Sequence, residues 1–186
     1  MVGDSICMGY FPIVEQLLGS EANLWMPEGG GRTTRHTLSH IDEWLADRHP
    51  DVVHINCGLH DLAQDFDAEI PRVPLAEYRN NVKAILQHLK TLTGAKLFWA
   101  LTTPVIEKRH HENKGFDRFE KNVMQYNDAA GKVADELSVF VNDLYSVVQR
   151  AGPERLLGND GVHFKEQGYE LLGYAVADVL RSALSK

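Results

Sequence analysis

The sequence predicts an α/β fold with a mostly parallel sheet, and three observations carry that prediction. Apolar runs of strand length alternate with stretches of helical periodicity. The runs read as buried strands closed off by turn residues. Loops rich in glycine, threonine or histidine follow them, at the carboxyl ends of the strands where such sheets bind ligands.

In chain order, residues 23–26 (NLWM) read as a short strand. Thr33 or Thr34 is placed to cap a helix reaching about Arg48. The hydroxyl can accept an orphan helix N–H, and Leu38, Ile41, Trp44 and Leu45 recur at helical spacing. Residues 51–57 (DVVHINC), after His49-Pro50, form a compact apolar run that ends at Gly58. Residues 75–92 carry Tyr78, Val82, Ile85, Leu86 and Leu89 as one helical stripe. Residues 95–101 (AKLFWAL) repeat the buried-strand pattern until Thr102-Thr103-Pro104 stops it. A solvated loop of charge and histidine follows over residues 107–115. Residues 116–137 read as helix, 139–141 as strand and 165–184 as a final amphipathic helix.

With 186 residues the chain fits a single domain, 1–186, large enough to bury a core without disulfides or a metal. A formal charge of −7 and scattered basic residues argue against nucleic acid or an anionic membrane surface as partners. No apolar stretch has the length of a transmembrane segment, and no leader pattern opens the sequence. Cys7 and Cys57 make no disulfide framework and read as packed thiols, so the sequence as it stands points to a reducing, cytoplasmic compartment. A leader upstream of Met1 would make that placement secreted or periplasmic. Patterning carries no signal for oligomeric state.

The chemistry concentrates at the two ends of the chain. Gly3-Asp4-Ser5 opens it, and Asp160-Gly161-Val162-His163 answers near its close. A serine hydroxyl is a weak nucleophile until a neighbouring imidazole takes its proton, and that imidazole needs a carboxylate to hold its tautomer. A separation of three lets a turn bring Asp160 and His163 to one side. Alone, Ser5 would be a helix cap or turn serine, Asp160 a cap and His163 a loop histidine.

Together with Gly29-Gly30-Gly31-Arg32-Thr33-Thr34 and Gly58-Leu59-His60-Asp61, these blocks resemble the SGNH hydrolases, also called the GDSL-like esterase and lipase family. The resemblance implies a three-layer α/β/α, flavodoxin-like architecture with a mostly parallel five-stranded sheet. Its first strand, here Met1-Val2, is vestigial or begins upstream of Met1. The resemblance further implies a serine esterase, with no cofactor and no metal, acting on a small-molecule acyl ester of short chain or an O-acetyl carbohydrate. Ser5 would be the nucleophile, His163 the general base and then acid, and Asp160 the orienting carboxylate. The oxyanion donors would be the N–H of Ser5, the N–H of Gly31 and the side chain of His60. Gly30 competes with Gly31 by one residue of register, and Gly31 is preferred because Thr33-Thr34 then falls where the family has threonine. The family's asparagine is replaced by His60, whose imidazole N–H can donate in its place.

Other readings are weaker or kept open. Gly3-Asp4-Ser5-Ile6-Cys7 ends in cysteine where an α/β-hydrolase elbow needs glycine. Glu107, His110, His111 and Glu112 lack metal-ligand spacing, and His36 and His40 have no third ligand. Asp61 reads as structural, Trp44 and Trp99 as core. Arg32 and Arg35 read equally as a solvated helix start or as receivers of an acidic substrate group. A catalytically silent SGNH-fold ligand-binding module is the competing class, kept open by His60 and the short first strand.

Overall fold

The computed structural model describes residues 1–184. Its helices are α1 (Ser5–Leu18), α2 (Thr34–Leu45), α3 (Leu75–Leu92), α4 (Glu107–Asn113), α5 (Glu120–Glu136), α6 (Leu144–Ala151), α7 (Pro153–Leu156) and α8 (Glu166–Leu184). Its strands are β1 (Val52–Ile55), β2 (Gln64–Asp65), β3 (Lys96–Ala100), β4 (Phe116–Asp117) and β5 (Phe140–Asn142).

β1 and β3 are largely buried, as strands of a parallel sheet covered by helices are. β1, β3 and β5 hydrogen-bond in that order, with Val53 opposite Leu97 and Trp99 opposite Val141. On the free edge of β1, Val2 adds one parallel rung: its N–H donates to the His54 carbonyl at 2.9 Å and its carbonyl accepts from the Asn56 N–H at 3.1 Å. α8 packs against α1 and α6, and α3 packs against α2 and α5. Gly9 and Gly173 let α1 and α8 close up: a Cβ on the first would stand 2.1 Å from the Tyr169 ring, and one on the second 2.6 Å from Ile13. Trp99, Tyr10, Tyr78 and Tyr126 are the largest fully buried side chains.

The loops that follow the strands are held by side chains of the flanking helices. Tyr78 of α3 donates its hydroxyl to the Cys57 carbonyl at 2.9 Å, fixing the end of β1. Asn127 of α5 accepts from the Thr102 N–H and donates to the Thr102 carbonyl, each at 2.8 Å, fixing the end of β3. A cavity of ≈ 500 Å³ lies at the other end of β1, between Trp25, Val53 and Leu180. No helix among the described residues is long and apolar enough to cross a membrane.

The α/β class and parallel sheet are as the sequence predicts, with four corrections. The sheet holds three strands and the Val2 rung rather than five strands. Residues 23–26 are not a strand, because the neighbouring Met1-Val2 offers no ladder beyond the contact of the Met1 ammonium with the Trp25 carbonyl. Residues 107–113 are helix α4 rather than a solvated loop, and His110 is fully buried beneath it. The helix expected from residue 116 starts at Glu120, since Phe116-Asp117 pairs antiparallel with Gln64-Asp65.

Tyr78→Phe should leave the Cys57 carbonyl with only the Thr102 hydroxyl at 3.4 Å. Stability is expected to fall by about 1–2 kcal/mol, read as a lower urea midpoint at unchanged slope.

Candidate active site

Two helix ends and two loops meet where the carboxyl ends of β1 and β3 open. The first component is the turn into α1. Asp4 is its N-cap, with an extended ψ of −164°. Its Oδ1 accepts from the Ile6 N–H at 3.0 Å and from Asn56 Nδ2 at 3.1 Å. Ser5 therefore holds the first helical position, where its own N–H has no intrahelical acceptor and the helix dipole is positive. Gly3 has no room for a side chain: a Cβ there would stand 2.0 Å from Asn56 Oδ1 and 2.4 Å from Cys7 Cβ.

The second component is the turn between α7 and α8. Gly161 sits at φ 70°, in the left-handed region that favours glycine, and its carbonyl accepts from the Ile106 N–H at 2.8 Å. Asp160 Oδ1 accepts from the N–H groups of Val162 (3.1 Å) and His163 (2.9 Å). Its Oδ2 lies 2.6 Å from His163 Nδ1, with Lys114 Nζ at 3.4 Å. A carboxylate on Nδ1 places the ring proton there, so the Nε2 lone pair faces outward. Ser5 Oγ meets that Nε2 at 2.8 Å. Burial works to raise the Asp160 carboxyl, but the hydrogen bonds from the His163 ring and the two N–H groups outweigh it. The group is held well below the usual carboxylate range.

The other two predicted residues arrive by different routes. Gly31 lies against Gly3 as expected, yet its N–H already donates to the Gly3 carbonyl at 2.6 Å. That bond ties the glycine loop to the Ser5 turn and engages the donor that the resemblance assigns to an oxyanion. His60 is half-buried, and its imidazole has no hydrogen-bond partner among the described residues. Burial pushes its pKa down, Asp4 pulls it up, and Arg118, Arg32 and Arg72 push it down, leaving a neutral ring with a free N–H.

Asp61 beside it turns inward, accepting from the Thr34 N–H at 2.9 Å and the Thr34 hydroxyl at 2.6 Å. Thr33, not Thr34, caps α2, with its hydroxyl 3.2 Å from the His36 N–H. Arg35 pairs with Glu77 at 2.5 Å on the surface. His36 and His40 stack on each other at 4.1 Å and His40 stacks on Trp44, while Trp99 is in the core.

Sequence reasoning assigns no functional role to Asp4, Asn56, His110 or Arg118. His110 Nδ1 lies 3.2 Å from the Asp160 carbonyl, and Arg118 Nε donates to the Leu59 carbonyl at 2.6 Å. The hint available was a polar residue with no place in a helical stripe. Only the fold says where it turns.

Comparison with known proteins adds to this geometry. Residues 1–171 match the GDSL-like Lipase/Acylhydrolase family. A GDSL esterase/lipase of Arabidopsis thaliana is 25% identical, aligned over 94% of this chain and 73% of its own. The isoamyl acetate-hydrolyzing esterase 1 homolog of Homo sapiens is 28% identical, over 66% of this chain and 52% of its own. Among solved structures, the lipase/acylhydrolase from Enterococcus faecalis superposes with a TM-score of 0.79 at 22% identity, covering 97% of this chain and 93% of that one. An acetylxylan esterase from Geobacillus stearothermophilus gives a TM-score of 0.75 at 20% identity, covering 98% of this chain and 91% of that one. At those identities the solved structures speak to the fold.

Asp61 carries a pH signature. Burial pushes its carboxyl from 3.8 up to about 7, against the two Thr34 hydrogen bonds. The folded protein then keeps a proton that the unfolded chain has released, so this group lowers stability progressively across that window and by a constant amount above it. Relative to Asp61→Asn, the wild type should therefore lose stability between about pH 4 and pH 7. Denaturation midpoints of both proteins across pH 4–8 check this; parallel curves would refute it.

Proposed function

The chain belongs to the GDSL-like lipase/acylhydrolase family and is a carboxylic-ester hydrolase, and from that premise we propose that Ser5, His163 and Asp160 carry the reaction on short acyl esters. The observation that supports this most is the hydroxyl–imidazole–carboxylate relay, with its 2.8 Å and 2.6 Å hydrogen bonds. In this reading His163 Nε2 takes the Ser5 proton as Oγ attacks the ester carbonyl. Asp160 keeps Nδ1 protonated and stabilises the imidazolium. The collapsing tetrahedral intermediate releases the alcohol, which leaves with the proton from Nε2. Water then repeats the cycle on the acyl-enzyme, regenerating Ser5.

Developing charge on the oxygen needs donors placed in advance. The Ser5 N–H, at the positive end of α1, is one. His60, neutral and unpartnered, is the second. Gly31 contributes only as a shared donor, because its N–H also serves the Gly3 carbonyl. One buried core running from Val2 to Leu180 supports a single domain around this site.

For the substrate we favour acetyl and other short acyl groups, including O-acetyl carbohydrates. Solved neighbours are named as acetylxylan and acetyl-xylooligosaccharide esterases, and the human relative is named for isoamyl acetate. A silent binding module is not favoured, since it has no use for the relay.

A fluorophosphonate probe should label Ser5, and Ser5→Ala should remove the label. On 4-nitrophenyl acetate, Ser5→Ala and His163→Ala should each lower kcat by at least ~10⁴. Unlabelled Ser5 with turnover intact would refute the nucleophile. His60→Ala should cost roughly 10²–10³ in kcat, and His60→Asn should recover most of it; two variants at wild-type turnover would remove His60 from the oxyanion site. Across nitrophenyl esters, kcat/KM should be highest for acetate or propionate, and a steady rise toward long chains would overturn the short-acyl reading.

A further inference from the structure

Arg118 is a buried cation beside the candidate site with no anion in contact. It is 6% exposed. Its Nε donates to the Leu59 carbonyl at 2.6 Å, and Nη1 approaches His110 Nε2 at 3.5 Å; both partners are neutral. Its remaining Nη2 has no partner, and no carboxylate lies within ion-pair distance, among the described residues. The face of Phe116 lies 4.9 Å away, but Arg72 stacks on the same ring at 4.4 Å, adding like charge rather than relieving it.

Neither of the nearby acids forms an ion pair with it. Asp160 serves His163 and Lys114. Asp4 spends Oδ1 on the Ile6 N–H and Asn56; its buried Oδ2 takes no hydrogen bond, and the carboxylate attracts the guanidinium only from a distance. Burial works against the charge, lowering its pKa to about 10. Proteins seldom bury an unpaired guanidinium, because losing hydration without a counter-ion is unfavourable by several kcal/mol. Such a group calls for a ligand or a functional role.

Its place shows which ligand. The Leu59 carbonyl it holds precedes His60, and His110 beside it bonds the Asp160 carbonyl. Arg118 thus stands one residue from the candidate oxyanion donor and one side chain from the Asp160 turn. At the rim Arg32 is exposed, also without a carboxylate partner, and its charge reaches His60 as well. A chain of net charge −7 has therefore placed uncompensated positive charge at its ester site.

The geometry points to a carboxylate on the ester substrate, received by the free Nη2 of Arg118 with Arg32 assisting at the rim. With Nε on the Leu59 carbonyl and Nη1 beside His110, the N–H groups of Nη2 remain to make charge-assisted hydrogen bonds to a carboxylate oxygen. The inference rests on the reading of Ser5 as nucleophile and narrows its substrate class to acyl esters that carry an acid, on the acyl side as in a hemisuccinate or on the alcohol side as in an acetylated uronate.

Two matched pairs test it. One is 4-nitrophenyl hydrogen succinate against its methyl ester; the other is 4-acetoxybenzoate against 4-acetoxybenzamide. In at least one pair the acid should show the higher kcat/KM by about 10- to 100-fold, and that pair identifies the side. Arg118→Gln should erase the preference and Arg118→Lys keep part of it. Arg32→Gln, at an exposed position, should reduce it without affecting folding. With the wild type alone, succinate should inhibit competitively and dimethyl succinate should not. Neutral partners hydrolysed equally well or better in both pairs, or a preference that survives in Arg118→Gln, would overturn the proposal. Failure of the underlying reading looks different: Ser5→Ala would then retain turnover on all four esters.

Discussion

Much of this site depends on one buried carboxylate that no step of the reaction touches. Asp4 is 1% exposed, and its Oδ1 is shared between the Ile6 N–H and Asn56. The first bond starts α1 at Ser5; the second joins that turn to the end of β1. A hydroxyl at the first turn of a helix is useful only if the helix axis is fixed relative to the sheet. Asp4 fixes it, and Gly3 lets the two strands of backbone approach closely enough for the bond to form. Losing an N-cap of this kind usually costs about 1 kcal/mol in helix stability. Here the larger loss would be the aim of Ser5.

The hydroxyl and the imidazole lie 158 residues apart in the chain. What joins them is packing between the first and last long helices. α1 rests on α8, with glycines at the crossing, and the turn that carries Asp160 and His163 immediately precedes α8. Closing a loop of this length costs entropy that the packing of the whole domain must offset, so the geometry of this pair is coupled to global stability.

Charge is distributed with the same economy. Asp160 is held ionised by three N–H donors, His60 is held neutral by burial and by three arginines, and Asp61 is pushed toward its protonated form by an apolar surrounding. Three titratable groups within one set of loops are driven in different directions by their own neighbours, a pattern expected where proton movements are controlled.

Local sequence was sufficient for whatever depends on periodicity or composition. The stripe of α3 predicted its bounds as they are, the apolar runs became β1 and β3, and paired blocks at the two ends named Ser5, Asp160 and His163 as groups that should meet. It was insufficient where a residue's role depends on a partner far away in the chain. No helical stripe marks α1, which is apolar on most sides and interrupted by Pro12. Composition alone puts His110 in a solvated loop, whereas α4 turns it inward. The resemblance offers the Gly31 N–H to a substrate, whereas the Gly3 carbonyl takes it, and the pattern around Arg118 says only helix. Periodicity reports which face of an element is buried; a hydrogen bond or an unpaired charge exists only once two distant segments share a volume, and that is decided by tertiary packing.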